Sequence, residues 1–188
     1  MKDLSLHIMD IVQNSVSARA KRIETAIAAD VKNDCLKITV SDNGAGMDAD
    51  LLSRVTSPFA TTRTTRKVGL GLPLFKESSE MAGGEFRISS VKNEGTQVSA
   101  SFKISHIDRL PLGDVAETMA GVIMAYPQIQ WVLVLSNDSE EFRLDTDEVK
   151  GQLGEVPITE YEVITWIKGY IDEGIRFIFG GVLNEVVS

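Results

Sequence analysis

The sequence predicts an α+β protein in which helices are separated by pairs of antiparallel β-strands. Apolar residues at helical spacing indicate the helices, as at Leu4, Ile8 and Ile11 in the first segment. Pairs of short β-branched runs joined by turn residues indicate the strands. A length of 188 residues allows one ordinary domain or two small ones.

The first 105 residues contain two predicted hairpins and three predicted helices, and Asp3 is suited to cap the first helix. Pro73 is acceptable in the first turn of a helix, and Gly83 is suited to end one. The predicted elements are a helix over Asp3–Ala20, strands over Ile23–Ala29 and Cys35–Val40, a short helix over Asp48–Val55, a helix over Leu72–Met81, and strands over Phe86–Val91 and Gln97–Ile104.

The character of the chain changes around His106, and we place a boundary there between a domain of residues 1–105 and an accessory region of residues 106–188. This small α/β region could serve in partner docking or in dimerisation, and the sequence leaves both open. Its predicted elements are a helix over Leu112–Met124, strands over Ile129–Leu135 and Glu141–Leu144, and a long helix from Thr159 to Gly174, with Glu162 completing a capping box.

Composition and charge narrow the classes of partner. The net charge of −8 argues against binding to the phosphate backbone of nucleic acids. No apolar run approaches the roughly 18–20 residues that span a bilayer, and the amino terminus has no signal-peptide pattern. The single Cys35 is predicted to be a core residue in a reducing compartment. We therefore expect a cytoplasmic protein that binds neither nucleic acid nor membrane.

Four polar residues lie along one side of the first predicted helix. They are His7, Asp10, Asn14 and Ser17, spaced three, four and three positions apart. Apolar residues occupy much of the remaining circumference, and buried polar groups need partners. We therefore expect this stripe to border a ligand cavity, with His7 orienting Asp10.

Two glycine-containing loops stand at positions suited to a ligand. Asp42 ends an apolar strand and is followed by Gly44 and Gly46, which allow a sharp turn and a close approach to the backbone. The segment Gly69–Leu72 leads directly into a helix, whose free N–H groups and dipole suit phosphate oxygens. It is not a dinucleotide-binding fingerprint, because a polar basic loop rather than a strand precedes it.

Four segments in this order and spacing resemble the GHKL superfamily, which includes gyrase-type topoisomerases, heat-shock chaperones of the ninety-kilodalton class, histidine kinases and mismatch-repair ATPases. The likeness covers residues 3–105 and implies a two-layer α/β sandwich, with a mixed, mostly antiparallel sheet covered by helices on one face. It also implies ATP and Mg²⁺ as ligands. The segments are Asp10–Asn14, Asp42–Met47, Lys67–Leu72 and Gly95-Thr96.

The resemblance implies a role for each matching residue. Asn14 would hold Mg²⁺, and the carboxylate of Asp42 would accept a hydrogen bond from the adenine amino group. Gly44 lies in the same loop, with Gly46 and Met47 lining the base, and Thr96 would reach the adenine directly or through water. The triphosphate would be wrapped by the second glycine loop, which consists of Gly69, Leu70, Gly71 and Leu72. Residues 57–68 would form a lid over ATP, from which Arg63, Arg66 and Lys67 would approach the γ-phosphate.

Two departures from the family pattern bear on activity and on the sheet. Hydrolysing members have a Glu four residues before the Mg²⁺-binding Asn, whereas this chain has Asp10, one methylene shorter. A general base must come within reach of its proton, so we expect either that hydrolysis is slow or that Asp10 only orders a water near the metal. Family members also have strands before the first helix. We expect Ile129–Leu135 and Glu141–Leu144 to complete that edge of the sheet, because an open edge invites association.

Three functions remain open at the level of sequence. The favoured one is Mg²⁺-dependent ATP binding with slow hydrolysis by a stand-alone regulatory domain, with Asp10 as the candidate general base. The alternatives are histidine- or serine-kinase-like phosphotransfer to a separate protein, and a non-catalytic ATP-gated binding module. Each of them is compatible with signal transduction through a regulatory partner protein and with a homodimer.

Overall fold

The computed structural model describes residues 2–55, 70–180 and 183. Helices and strands alternate along these residues much as the sequence predicts. The elements are α1 (Leu4–Ser17), β1 (Arg22–Asp30), β2 (Cys35–Asp42), α2 (Ala49–Val55), α3 (Gly71–Met81), β3 (Phe86–Val91), β4 (Gly95–Lys103), α4 (Val115–Ala125), β5 (Gln130–Ser136), β6 (Glu141–Asp145), α5 (Thr146–Leu153) and α6 (Tyr161–Phe179).

The strands of the described residues form one mixed sheet in the order β3-β4-β2-β1-β5-β6. The β1–β5 pair is parallel, and the other neighbouring pairs are antiparallel. Parallel neighbours need a crossover connection, which a helix commonly supplies, and here α4 lies between the hairpin β3–β4 and β5 in the chain. The predicted α+β fold with a mixed, mostly antiparallel sheet is confirmed.

The strands β5 and β6 complete the sheet beside β1, as expected from the sequence. The β1–β5 register runs from Arg22 opposite Gln130 to Ala28 opposite Ser136, and β6 then forms the edge. The strands that follow residue 105 therefore belong to the same sheet as those that precede it. The division of the chain into two functional parts at residue 105 stays a prediction.

One side of the sheet is buried under helices. Along β1, buried residues alternate with partly exposed ones, which is the pattern of a strand with one covered face. The helix α1 packs on β1 and β2, α3 packs on β3 and β4, and α6 packs on β5 and β6. The helix α4 lies between α1 and α6. Side chains such as Ile8, Ile27 and Ile38 are fully buried in this layer, and each contributes roughly 1.5–3 kcal/mol by leaving water.

The carboxy-terminal helices differ from the prediction. The helix α6 begins at Tyr161, and its cap Glu160 makes no side-chain capping hydrogen bond, so the predicted capping box was wrong. This helix continues past Gly174, its predicted end, to Phe179, and the absence of a side chain on Gly174 leaves room for the ring of Phe142, which a β-carbon would meet at 2.7 Å. The unpredicted helix α5 is capped by Asp145, which accepts a hydrogen bond from the backbone N–H of Asp147. No helix in the described parts of the chain has both the length and the apolar content needed to cross a membrane.

Candidate functional site

Two polar side chains of α1, those of Asp10 and Asn14, are left with unused hydrogen-bonding capacity beside the candidate site. Both are partly exposed, and neither side chain has a hydrogen-bond partner within the described residues. Burial raises the pKa of the Asp10 carboxyl. Their carboxylate and amide oxygens are the kind of ligand that Mg²⁺ prefers.

The other two members of the predicted polar stripe have different surroundings, and the expectation that His7 faces a cavity and orients Asp10 was wrong. His7 is 2% exposed and packs against Phe75, with 5.4 Å between the ring centroids. Burial lowers its pKa to about 4, and no hydrogen bond among the described residues joins it to Asp10. Ser17 is exposed and donates to the backbone oxygen of Gln13 at 2.8 Å. The buried face of α1 is wide enough to include His7.

The carboxylate of Asp42, at the end of β2, is fixed by two donors. One oxygen accepts from the backbone N–H of Gly44 at 2.8 Å, and the other accepts from the hydroxyl of Ser15 at 2.6 Å. Thr96 of β4 stands directly opposite Asp42 in the strand register. The carboxylate therefore has a set orientation, and each oxygen keeps capacity to accept one further hydrogen bond.

Ser15 was not predicted as a site residue, although the sequence contains a signal for it. It follows Ile11 by four positions and Val12 by three, so it continues the buried face of α1. A polar residue on a core-facing stripe needs a partner. The partner, Asp42, is 27 positions away in the chain, and the pattern of α1 alone does not identify it.

The first glycine loop is held closely on both sides. A β-carbon on Gly44 would lie 2.8 Å from the backbone oxygen of Ala18, at the end of α1. Gly46 has a φ angle of +60°, and a β-carbon there would lie 2.0 Å from the backbone oxygen of Val91. Only glycine fits such positions without moving the neighbouring backbone. The loop is thereby clamped between α1 and the β3–β4 hairpin.

A small hydroxyl network joins this loop to the β3–β4 hairpin. Ser90 accepts from the backbone N–H of Met47 at 2.8 Å and lies 2.9 Å from both the Thr96 hydroxyl and the Gly95 backbone oxygen. Gly95 has a φ angle of +128°, and a β-carbon there would lie 1.9 Å from the backbone oxygen of Asp42. Ser90 and Gly95 therefore bring three predicted residues together: Asp42, Met47 and Thr96. Ser90 itself was not predicted from the sequence.

The second glycine segment meets α1 at the start of α3. Leu70 precedes α3 without a side-chain cap. Pro73 has no N–H and Leu74 donates to the backbone oxygen of Leu70, so Gly71 and Leu72 carry the N–H groups of this turn that could meet an anion. Gly71 and Leu72 are buried, and Gly71 lies against Asp10. Gly69 and the predicted lid, with Arg63, Arg66 and Lys67, lie outside the described residues.

The arrangement as a whole offers two kinds of binding group within one part of the fold. Asp42 supplies oriented acceptors near Thr96, whereas Asp10, Asn14 and the start of α3 supply oxygens and free N–H groups. The described residues contain no group of three or more His, Cys, Asp or Glu that could enclose a metal. Mg²⁺ often takes only one or two protein ligands when a substrate phosphate supplies others, so the donor set fits Mg²⁺ bound together with a phosphate ligand.

A separate cavity of about 400 Å³ lies at the opposite end of β1. Ala29 and Val31 line it on one side, and Asn137 and Glu140 line it on another. Among the described residues, none from the four predicted ligand-binding segments contributes to its lining. We therefore do not assign the nucleotide to it.

Comparison with known proteins shows the family to which the chain is similar. Residues 2–106, more than half of the chain, match the family model described as "Histidine kinase-, DNA gyrase B-, and HSP90-like ATPase". A Shewanella frigidimarina protein described as a sensor is 32% identical over 107 residues, which are 54% of this chain and 16% of the relative. The signal transduction histidine-protein kinase AtoS of Escherichia coli is 32% identical over 96 residues, or 50% of this chain and 15% of the kinase.

Among solved structures, the N-terminal domain of a DNA repair protein matches with a TM-score of 0.56 and 17% identity, covering 77% of this chain and 53% of that one. At this level of identity the match supports the fold alone. The chain spans about a sixth of the length of the two sensor relatives, so the likeness concerns one of their domains. The chain belongs to the family of histidine kinase-, DNA gyrase B- and HSP90-like ATPases.

Proposed function

We propose that this chain binds ATP with Mg²⁺ and hydrolyses it slowly. The observation that carries the proposal is the carboxylate of Asp42, fixed by Ser15 and Gly44 at the end of β2 opposite Thr96. A carboxylate held in this way accepts a hydrogen bond from an exocyclic amine. Adenine carries such an amine, whereas guanine has a carbonyl oxygen at the same position, so the site should prefer ATP to GTP.

The triphosphate would lie between α1 and the start of α3. The first turn of α3 would offer the N–H groups of Gly71 and Leu72, and the absence of a side chain on Gly71 lets the chain pass close to α1. The amide oxygen of Asn14 would hold Mg²⁺, which would offset the negative charge of the phosphates. Arg63, Arg66 and Lys67 are proposed to approach the γ-phosphate from residues 57–68.

Asp10 is the candidate general base. Its carboxylate would take a proton from a water whose oxygen bonds to the γ-phosphorus, while the bond from that phosphorus to the bridging oxygen breaks, giving ADP and phosphate. Burial raises the pKa of Asp10, which makes it a stronger base than an exposed carboxylate. The short side chain limits its reach, so we propose that turnover is slow.

Phosphotransfer to another protein is the second candidate, and the sensor relatives favour it. AtoS is named as a histidine-protein kinase, and the matched region is a small part of its length. In this alternative a nucleophile of a partner protein, rather than water, attacks the γ-phosphorus. A regulatory partner, a homodimer and a cytoplasmic location remain proposals under either function, and so does a purely ATP-gated module.

Isothermal calorimetry tests nucleotide binding directly. We expect heat with ATP and Mg²⁺, weaker binding when EDTA removes Mg²⁺, and weaker binding of GTP. Asp42→Asn should abolish binding because the carboxamide cannot accept on both sides, and Asn14→Ala should abolish it through loss of the metal ligand. The control Asp30→Asn removes a carboxylate at the far end of β1 and should bind normally. Unchanged affinity of Asp42→Asn for ATP would falsify the assignment of the adenine site.

Incubation with γ-labelled ATP separates the two candidate reactions. Hydrolysis releases labelled phosphate from the protein alone, whereas phosphotransfer puts the label on an added partner protein. Label that stays in ATP, despite binding in the calorimeter, would leave the ATP-gated module as the function.

A further inference from the structure

The charge of this protein is unevenly distributed along the chain. Residues 1–136 contain 15 acidic and 15 basic residues, whereas residues 137–188 contain 12 acidic and 4 basic residues. The whole net charge of −8 therefore arises after β5, in the part of the chain that holds β6, α5 and α6. The proposed nucleotide site lies in the balanced part.

The same acidic part exposes a row of aromatic side chains, which we call the aromatic stripe. It consists of Trp166, Tyr170 and Phe177 on α6 together with Phe142 on β6. Spacings of four and seven positions place the three α6 residues on one side of the helix. The rings of Trp166 and Tyr170 stack with their centroids 5.2 Å apart, and Phe142 lies 4.8 Å from Tyr170. Trp166 is 52% exposed and Tyr170 is 37% exposed, so these joined rings present an aromatic surface to solvent, and Phe177, which is 64% exposed, lies two turns farther along the same side of α6.

The stripe rests on a well-packed base. Ile167 and Ile171 on the neighbouring face of α6 are fully buried. Gly174 lets the Phe142 ring approach α6 so closely that a β-carbon would meet it at 2.7 Å. A surface whose side chains are already ordered loses less conformational entropy when a partner binds. Isolated exposed aromatic residues are ordinary, but a joined and supported row marks an interaction site.

Two carboxylates flank the stripe and are not neutralised. Glu162 precedes Trp166 by four positions, and Glu173 follows Tyr170 by three, so both lie beside the rings. Both are exposed, and neither takes part in an ion pair within the described residues. Two of the nearby cations are engaged elsewhere: Arg143 pairs with Asp145 and Glu148, and Lys168 pairs with Glu117. Arg176, three positions after Glu173, is exposed and takes part in no ion pair among the described residues, so it is the one basic group on this side of α6 that a basic partner would have to avoid.

We propose that the aromatic stripe docks a basic segment of another protein, in which arginine or lysine side chains flank an apolar residue. The apolar residue would cover Tyr170 and Phe142, and the cations would lie over the face of Trp166 and beside Glu162 and Glu173. A second copy of this chain is the less suitable occupant, because a two-fold contact through the stripe would bring the same acidic surfaces together. The inference does not depend on nucleotide binding.

Selection from a random displayed peptide library tests the chemistry of the partner, with the full chain as bait. Peptides retained by the wild-type protein and not by Trp166→Gln should be enriched in arginine and lysine beside an apolar residue. Affinity of the strongest such peptide should fall about tenfold or more with Trp166→Gln or Tyr170→Gln. The affinity of the wild-type protein for this peptide should also fall as the salt concentration rises. The double variant Glu162→Gln/Glu173→Gln should show a weaker dependence on salt. The control Tyr161→Gln changes an exposed aromatic residue of α6 outside the stripe and should bind as the wild type does.

Intrinsic fluorescence shows that the variants are folded, because Trp131 is buried at 1% exposure and reports on the core. Acidic or uncharged peptides among the winners, or no difference between the wild type and folded Trp166→Gln, would overturn the proposal. Sedimentation provides a second measurement. Concentration-dependent dimerisation that Trp166→Gln abolishes would show that a second copy occupies the stripe and would equally overturn it.

Discussion

Gly71 of α3 lies directly against Asp10 of α1. A β-carbon at position 71 would stand 2.8 Å from the β-carbon of Asp10 and 3.1 Å from one of its carboxylate oxygens. The β-carbon of Asp10 is attached to a rigid helix backbone and cannot swing away. The absence of a side chain at position 71 therefore sets the position of Asp10 relative to the start of α3.

Gly71→Ala should reduce ATP turnover more than it reduces ATP affinity. Alanine is favourable in a helix, so the expected effect comes from displacement of Asp10, and a displacement of about 1 Å can cost about a hundredfold in rate. Phosphate release and calorimetry measure the two effects. The control Gly151→Ala lies in α5, where a β-carbon meets nothing within 4 Å. Turnover equal to that of the wild type would show that Asp10 is not positioned by this contact.

The pH dependence of turnover tests Asp10 as the base. Burial raises the pKa of this carboxyl, and a base must be deprotonated to act. Turnover should therefore fall as the pH drops through a value above the ordinary carboxyl pKa of 3.8. Asp10→Asn should keep ATP binding and lose both the rate and this acidic limb. If Asp10→Asn and Asp10→Ala turn over ATP at the wild-type rate, water is activated by another group.

Gly95→Ala should destabilise the fold. Its φ angle of +128° is one that alanine rarely adopts, and the new methyl group would meet the backbone oxygen of Asp42 at 1.9 Å. We expect a loss of about 2 kcal/mol or more in the free energy of unfolding. Urea denaturation measures it. Gly121→Ala in α4 is the matched control: a β-carbon meets nothing within 4 Å there, and the substitution should stabilise the helix by up to about 1 kcal/mol. Equal effects of the two substitutions would contradict the close approach of β4 to β2.

His7 should make the protein less stable in mild acid. Burial lowers its pKa from 6.5 to about 4, so between these values the unfolded chain binds a proton that the folded chain does not. The free energy of unfolding should therefore fall as the pH drops from about 6.5 to 4, by up to roughly 3 kcal/mol from this group, and should not depend on it above that window. Urea denaturation of His7→Leu and the wild type measures the difference. At neutral pH, the difference in the free energy of unfolding between the two proteins reflects the change in packing alone. If this difference stays constant down to pH 4, the titration of His7 does not contribute to stability.

Much of the fold follows from short-range patterns. The periodicity of Leu4, Ile8 and Ile11 and the turn at residues 30–34 involve neighbours within a few positions, and local sterics and burial are sufficient to predict them. The capping box predicted at Thr159 was wrong. The predicted helix end at Gly174 was wrong as well: glycine is unfavourable in a helix interior, but this glycine leaves room for Phe142 of another element, and the local pattern does not show that contact. The same limit applies to His7, since the extent of the core around α1 depends on Phe75 of α3.

The candidate site shows the same division. The residue types and their order, with Asp42 before two glycines and a glycine segment before α3, resemble the GHKL pattern, and that resemblance was enough to predict a nucleotide ligand. The contacts of Ser15 with Asp42, of Gly71 with Asp10 and of Ser90 with Met47 and Thr96 were decided only by the tertiary structure. Each contact joins two elements that are brought together by the packing of the whole fold. The sequence pattern within one segment does not determine the distance between that segment and another.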